Sequence, residues 1–135
     1  MRTLTKMVCG ISLLGASMAV AAGFDGSTPL LCAVTDTVSC DRQGHCVEGP
    51  ANAVNLPTFI RLDAKNKMAE STREGGEKRT SPILSVHEEE GALVLLGVEQ
   101  GGGWSAAIAE QTGNLTLTVA EEGIGYIVFG ACLPQ

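Results

Sequence analysis

The chain has 135 residues, 44% of them hydrophobic and only 4% aromatic, with 9 basic against 15 acidic side chains and a formal net charge of −6 at pH 7. That length suits one domain with a core of modest size. The acidic balance argues against a phosphate-backbone partner, which needs a basic patch to displace counterions. It also disfavours anionic membrane surfaces, leaving simple solubility or a basic partner surface as readings.

The N-terminal "MRTLTKMVCGISLLGASMAVAAG" places Arg2 and Lys6 ahead of an apolar run that ends in small residues. This order predicts a secretory signal peptide over residues 1–21, or 1–22 if the cut falls one residue later, followed by a single domain over 22–135. The apolar run is shorter than the roughly 20 residues that span a bilayer. No later segment is long and apolar enough, so no membrane span is expected in the mature chain. A lipid anchor at Cys9 is rejected because the apolar run follows that cysteine instead of preceding it. Removing the segment takes away Arg2 and Lys6 and leaves 7 basic against 15 acidic residues, a balance of −8. It also takes away Cys9, one of 5 cysteines, and the remaining four imply two disulfides in an oxidising compartment.

The first predicted strand is "PLLCAVTD". The next stretch, "SCDRQGHC", sets Cys40 and Cys46 around a tight loop with His45 beside the second cysteine. A redox or haem-attachment motif needs two residues between its cysteines, and five intervene here. A structural zinc site would need free thiolates in paired short spacings. A stapled turn is the expectation, with Gly44 helping the chain back. "CVEG" follows as a short strand, and "PANAVNLP" is bracketed by prolines that resist regular hydrogen bonding.

From Phe59 onward, short apolar runs recur with turn residues every eight to twelve positions, the pattern of a β-meander. "FIRLD" puts Ile60 and Leu62 on one side and Arg61 and Asp63 on the other, and "AKNK" turns the chain into "MAES". A charged flexible stretch, "TREGGEKRTSP", leads to "ILSVH"; "EEEG" turns into "ALVLLGVEQ", and "GGG" into "WSAAIAE". "QTGN" then leads to "LTLTVA", where Leu115, Leu117 and Val119 alternate with threonines, and "EEGIG" leads to "YIVFGAC". The expectation is an all-β fold, an antiparallel up-and-down meander of seven or eight strands curled into a closed or nearly closed barrel. Four cysteines allow three connectivities. The one that agrees with this topology joins Cys32 on the first strand to Cys132 on the last, where the barrel closes, and leaves Cys40 to Cys46.

No catalytic constellation is present in the sequence, and the protein is not expected to be an enzyme. The G-x-S-x-G elbow is absent, and "EQGGGW" lacks the lysine and hydroxyl residue of a phosphate loop. No cofactor is expected. The metal candidates are His87, Glu88 and Glu90, but consecutive carboxylates on a strand alternate in direction and "EEEG" reads better as a hairpin turn. Trp104, the single tryptophan, alternates with Ala106 and Ile108 and reads as a core anchor ahead of a ligand platform. It is kept as a binding candidate with Arg73, Lys78 and Arg79 of the loop expected over residues 71–82.

From "FDGSTPLLC" through "NLPTFIRLD", "GWSAAI", "TGNLTLT" and the terminal "FGAC", the chain resembles a group of small exported proteins of Gram-negative bacteria with no assigned activity. The resemblance spans nearly all of the mature chain and implies a periplasmic location. It brings no catalytic or binding residue with it. The leading functional expectation is a non-enzymatic interaction module presenting loops to a protein or envelope partner in the periplasm, with no nucleic acid involved. The alternative is a carrier of a small apolar ligand inside the barrel, where Gly97, Ala107 and Ala109 would leave room. A metal-binding role at His87 is the third reading.

Overall fold

Successive side chains of a strand point to opposite faces, so an apolar set at every second position builds a core on one side of a sheet. The computed structural model describes residues 23–72 and 76–135. The expected signal segment, with Cys9, and Arg73 lie outside the described residues.

Among the described residues there are nine strands: β1 Leu30–Asp41, β2 Cys46–Gly49, β3 Phe59–Asp63, β4 Met68–Thr72, β5 Lys78–Glu89, β6 Ala92–Glu99, β7 Gly102–Ala109, β8 Asn114–Glu121 and β9 Ile124–Pro134. They form one antiparallel sheet in the order β2-β1-β3-β4-β5-β6-β7-β8-β9, closed by pairing of β1 with β9. The barrel proper therefore has eight strands. β1 makes closure possible by its length. One of its edges pairs with β9 from Leu30↔Pro134 to Asp41↔Ile124. Its other edge pairs with β3 over Leu30 to Ala33 and with β2 over Thr37 to Cys40. β2 is thus a ninth strand lying outside the closed ring.

Two boundaries differ from the sequence expectation. β1 runs on through Asp41, because a register shift between Val34 and Asp36 turns the chain so that Thr37 is buried and pairing with β9 continues. β5 begins at Lys78, so the supposedly flexible "KRTSP" is strand paired with β4 from Thr72↔Lys78 to Met68↔Pro82. Pro82 is tolerated at the end of that pairing, and the following Ile83 N–H donates to the Lys67 carbonyl at 3.0 Å.

The hairpins are tight. Glu90–Gly91 and Gln100–Gly101 each have positive φ at both central residues, 46° and 87° in the first, 47° and 83° in the second. Two-residue loops of this kind match the right-handed twist of the flanking strands. In the β3–β4 turn, the Asp63 carboxylate accepts from the Asn66 backbone N–H and the Asn66 side-chain amide, both at 2.9 Å. The side-chain bond from Asn66 first, then its backbone N–H and the nearby Arg61, hold the Asp63 carboxyl below its ordinary value of 3.8.

Both expected bridges are present. Cys32 and Cys132 face each other across the β1–β9 seam and are 0% and 2% exposed; Cys40 and Cys46 face each other across β1 and β2. "SCDRQGHC" is a stapled turn in which Asp41 Oδ1 accepts from the N–H groups of Gln43 and His45, each at 2.9 Å. These disulfides are consistent with an oxidising, exported location. No helix among the described residues is long and apolar enough to cross a membrane.

The interior is filled with apolar side chains, so the barrel is a packed core and not a channel. At the end where β1 begins and β9 finishes, Leu30, Cys32, Leu93, Ile108, Leu115 and Cys132 are almost wholly buried. Phe24 plugs that end against Gly113, whose missing side chain leaves the space that the Phe24 ring fills. The opposite end is built differently.

Candidate functional site

At the opposite end the inward-facing positions stop being aliphatic. Continuing the two-residue period, β5 contributes Ser81 and then Arg79, β6 Gly97 and then Glu99, β7 Trp104 and then Gly102, and β8 Val119 and then Glu121. All of these except Gly97, which lies behind the Trp104 ring, line a cavity of about 100 Å³ that opens at the barrel mouth. Leu62, Ala69 and Leu117 line its deep part, and Leu56 and Pro57, from the segment after the 3-10 turn Ala51–Val54, lean over it.

Trp104 is fixed on both its polar and its apolar side. Its indole N–H donates to Ser81 Oγ at 2.8 Å, and Ser81, 5% exposed, donates in turn to the Val98 carbonyl at 3.1 Å. One face of the ring lies over Gly97, its direct partner across β6 and β7, where a built Cβ would come within 2.2 Å of the indole carbons. The rest of the ring remains half-buried and lines the cavity. A half-buried indole with its N–H satisfied is a rigid apolar wall that loses little entropy when a ligand packs on it.

The rim carries charge. The Arg79 guanidinium forms an ion pair with Glu99 and donates to the Gln100 side-chain oxygen at 3.2 Å; the side chains of Arg79 and Glu99 are only 18% and 27% exposed. Glu121 lies across the mouth from Arg79, its Cγ 3.0 Å from where a Cβ on Gly102 would stand. Glu121 is exposed and has no ion-pair partner among the described residues.

The binding candidates from the sequence are separated by this arrangement. Arg79 and Trp104 meet at the mouth. Lys78 does not line the mouth cavity; it lies on a second groove with Leu31, Phe59, Arg61 and Glu70, which Arg79 also borders. Both belong to strand β5 and not to a loop. The metal candidates also do not converge: His87 is exposed and hydrogen-bonds Ser85 Oγ at 3.0 Å, and Glu88 and Glu90 point away into solvent. No cluster of three or more His, Cys, Asp or Glu side chains suited to a metal ion occurs among the described residues. Of the small residues expected to leave interior room, Ala107 and Ala109 lie on the face opposite the buried Ala106 and Ile108, and the space over Gly97 is taken by Trp104.

Ser81, Glu99 and the Leu56–Pro57 segment were not singled out from the sequence. The signal for Ser81 and Glu99 is the alternation itself, once β5 is known to start at Lys78. No known protein family, curated protein or solved structure matches this chain.

Proposed function

We propose that this protein is an exported, periplasmic binding protein that takes a small ligand into the mouth of its barrel. The observation that carries this reading is the cavity walled by the locked Trp104 indole at the one end of the barrel where the core is not closed. An apolar protein cavity of about 150 Å³ takes up benzene. A cavity of about 100 Å³ with an open top therefore suits a compact apolar group whose polar end stays at the rim. This favours the ligand-carrier reading over the loop-presenting module, because Arg79 of the expected loop is engaged in the barrel wall.

A second reading, an interaction module for a protein or envelope partner, draws on the outer surface. Leu31, Phe59, Ile127, Phe129 and Leu133 point outward on the adjacent strands β3, β1 and β9 and are 38% to 71% exposed. Contiguous exposed apolar surface of this kind marks interaction sites. One experiment separates the two. Amide and indole NMR shifts are recorded on the oxidised protein with a library of small fragments. Shifts confined to the Trp104 indole N–H, Ser81, Leu117 and Val119 support mouth binding. Shifts that leave these residues still, or that fall on Leu31, Phe129 and Leu133, reject it.

A further inference from the structure

We infer that the ligand of the barrel mouth is a small organic monocation, an ammonium or amidinium head on a compact apolar body. This rests on the mouth-binding reading above and adds the charge of the ligand to it. The apolar body follows from the lining, where Leu62, Leu117, Val119 and Trp104 offer carbon surface and the hydroxyl at their depth, Ser81, is already satisfied as donor and as acceptor; the other lining hydroxyl, Ser71, stands at the rim, paired across the sheet with Arg79. A ligand reaching this depth finds no free hydrogen-bonding side chain there, so its polar group must sit at the rim.

The sign of that polar group follows from how the rim charges are used. Arg79 is the one cation lining the mouth among the described residues, and its guanidinium is held by Glu99 and Gln100. An anionic ligand would have to displace Glu99 from that pair and leave a poorly exposed carboxylate without its partner, which is unfavourable. Glu70 also lines the mouth, but its carboxylate is bound by Arg61 at 3.3 Å. Glu121 is the carboxylate left over. It stands on β8 beside Gly102, two strands from Glu99, with the cavity below it. A cation there gains an ion pair and approaches the electron-rich indole of Trp104 without disturbing any existing contact. A ring of one cation and two inward carboxylates, Glu99 and Glu121, therefore selects positive charge by exclusion as well as by attraction.

The test uses the single tryptophan as its own reporter. Benzylammonium, benzyl alcohol and benzoate share one apolar body and differ in charge at pH 7. Their binding to the oxidised protein is followed by Trp104 emission and by the Trp104 indole N–H resonance. The inference expects benzylammonium to bind about tenfold tighter than benzyl alcohol, with benzoate weakest, a ratio built from one partly exposed ion pair and one cation–π contact. In Glu121→Gln, whose side chain is exposed and whose melting temperature should match wild type, that preference should shrink to within about threefold. Equal binding of the three probes, or an unchanged preference in Glu121→Gln, overturns the monocation while mouth binding survives. If none of the three perturbs Trp104, mouth binding itself fails and the inference falls with it.

Discussion

At Gly97 the barrel has no room for even a methyl group. The position faces inward between Leu95 and Glu99, and its partner across the sheet is Trp104, whose ring occupies the volume a side chain would need. The glycine is there for the close approach of an aromatic ring, and its backbone is ordinary extended strand. Gly97→Ala should push the indole off its seat and break its bond to Ser81, since a built Cβ falls 2.2 Å from Cε2 and Cζ2. Overpacking of this kind costs about 1 to 3 kcal/mol. For a domain of this size that corresponds to a melting temperature lower by roughly 4 to 12 °C. The same variant should show red-shifted Trp104 emission as the ring meets water. Unchanged emission in a stable Gly97→Ala protein would mean that the ring is not anchored as described. Ser81 belongs to the same unit: its hydroxyl accepts the indole N–H, so the serine, the glycine and the tryptophan on three successive strands form one rigid wall.

Among the elements, β1 and β2 divide the work of the two disulfides. The Cys32–Cys132 bridge joins residues 100 apart in sequence at the seam that closes the barrel, whereas Cys40–Cys46 spans 6 and pins β2 to the outside. Chain-entropy arithmetic gives roughly 4 to 5 kcal/mol for the long loop and roughly 2 kcal/mol for the short one. Replacing both cysteines of each pair by alanine avoids stray thiols. Thermal melts should then show Cys32→Ala/Cys132→Ala far less stable than Cys40→Ala/Cys46→Ala, and the second variant should keep the Trp104 environment intact because eight strands close without β2. Equal losses would contradict a closing role for the seam bridge. The elements are legible in the sequence wherever the interior is aliphatic: "LTLTVA" alternates cleanly because its inward residues are Leu115, Leu117 and Val119, and "ALVLLGVEQ" reads as a strand from its apolar run although its outward residues are apolar too. "KRTSP" reads as loop because its inward residues are Arg79 and Ser81, polar groups aimed at the mouth. The candidate site and the failure of the strand pattern thus have one cause. Trp104 was visible as an anchor from its alternation with Ala106 and Ile108, but its companions are set by cross-strand register, which no local window displays.

Over the whole molecule, the two ends of the barrel are unequal. One is plugged by Phe24 and crossed by the seam disulfide, and the other is walled by Trp104 and rimmed with charge. A ligand has two conceivable ways in, through the mouth or through a transient gap between β1 and β9. The seam pairs eleven positions of β1 with β9, from Leu30↔Pro134 to Asp41↔Ile124, and carries a buried disulfide. Parting it would expose both strands' backbone groups and undo contacts between residues about 100 apart, at a cost close to that of global unfolding. β2 is different, because only one of its edges has a strand beside it. Native-state hydrogen exchange should therefore show β1 and β9 amides at the seam as strongly protected as those of β6 and β7, while the β2 amides that face away from β1 exchange many orders of magnitude faster. Fast exchange along β1 and β9 with slow exchange in β6 would identify the seam as a gate and move the ligand's route away from the mouth. Uniform protection around the ring leaves the mouth as the entrance, which is also the end where Glu121 is placed to meet an arriving cation.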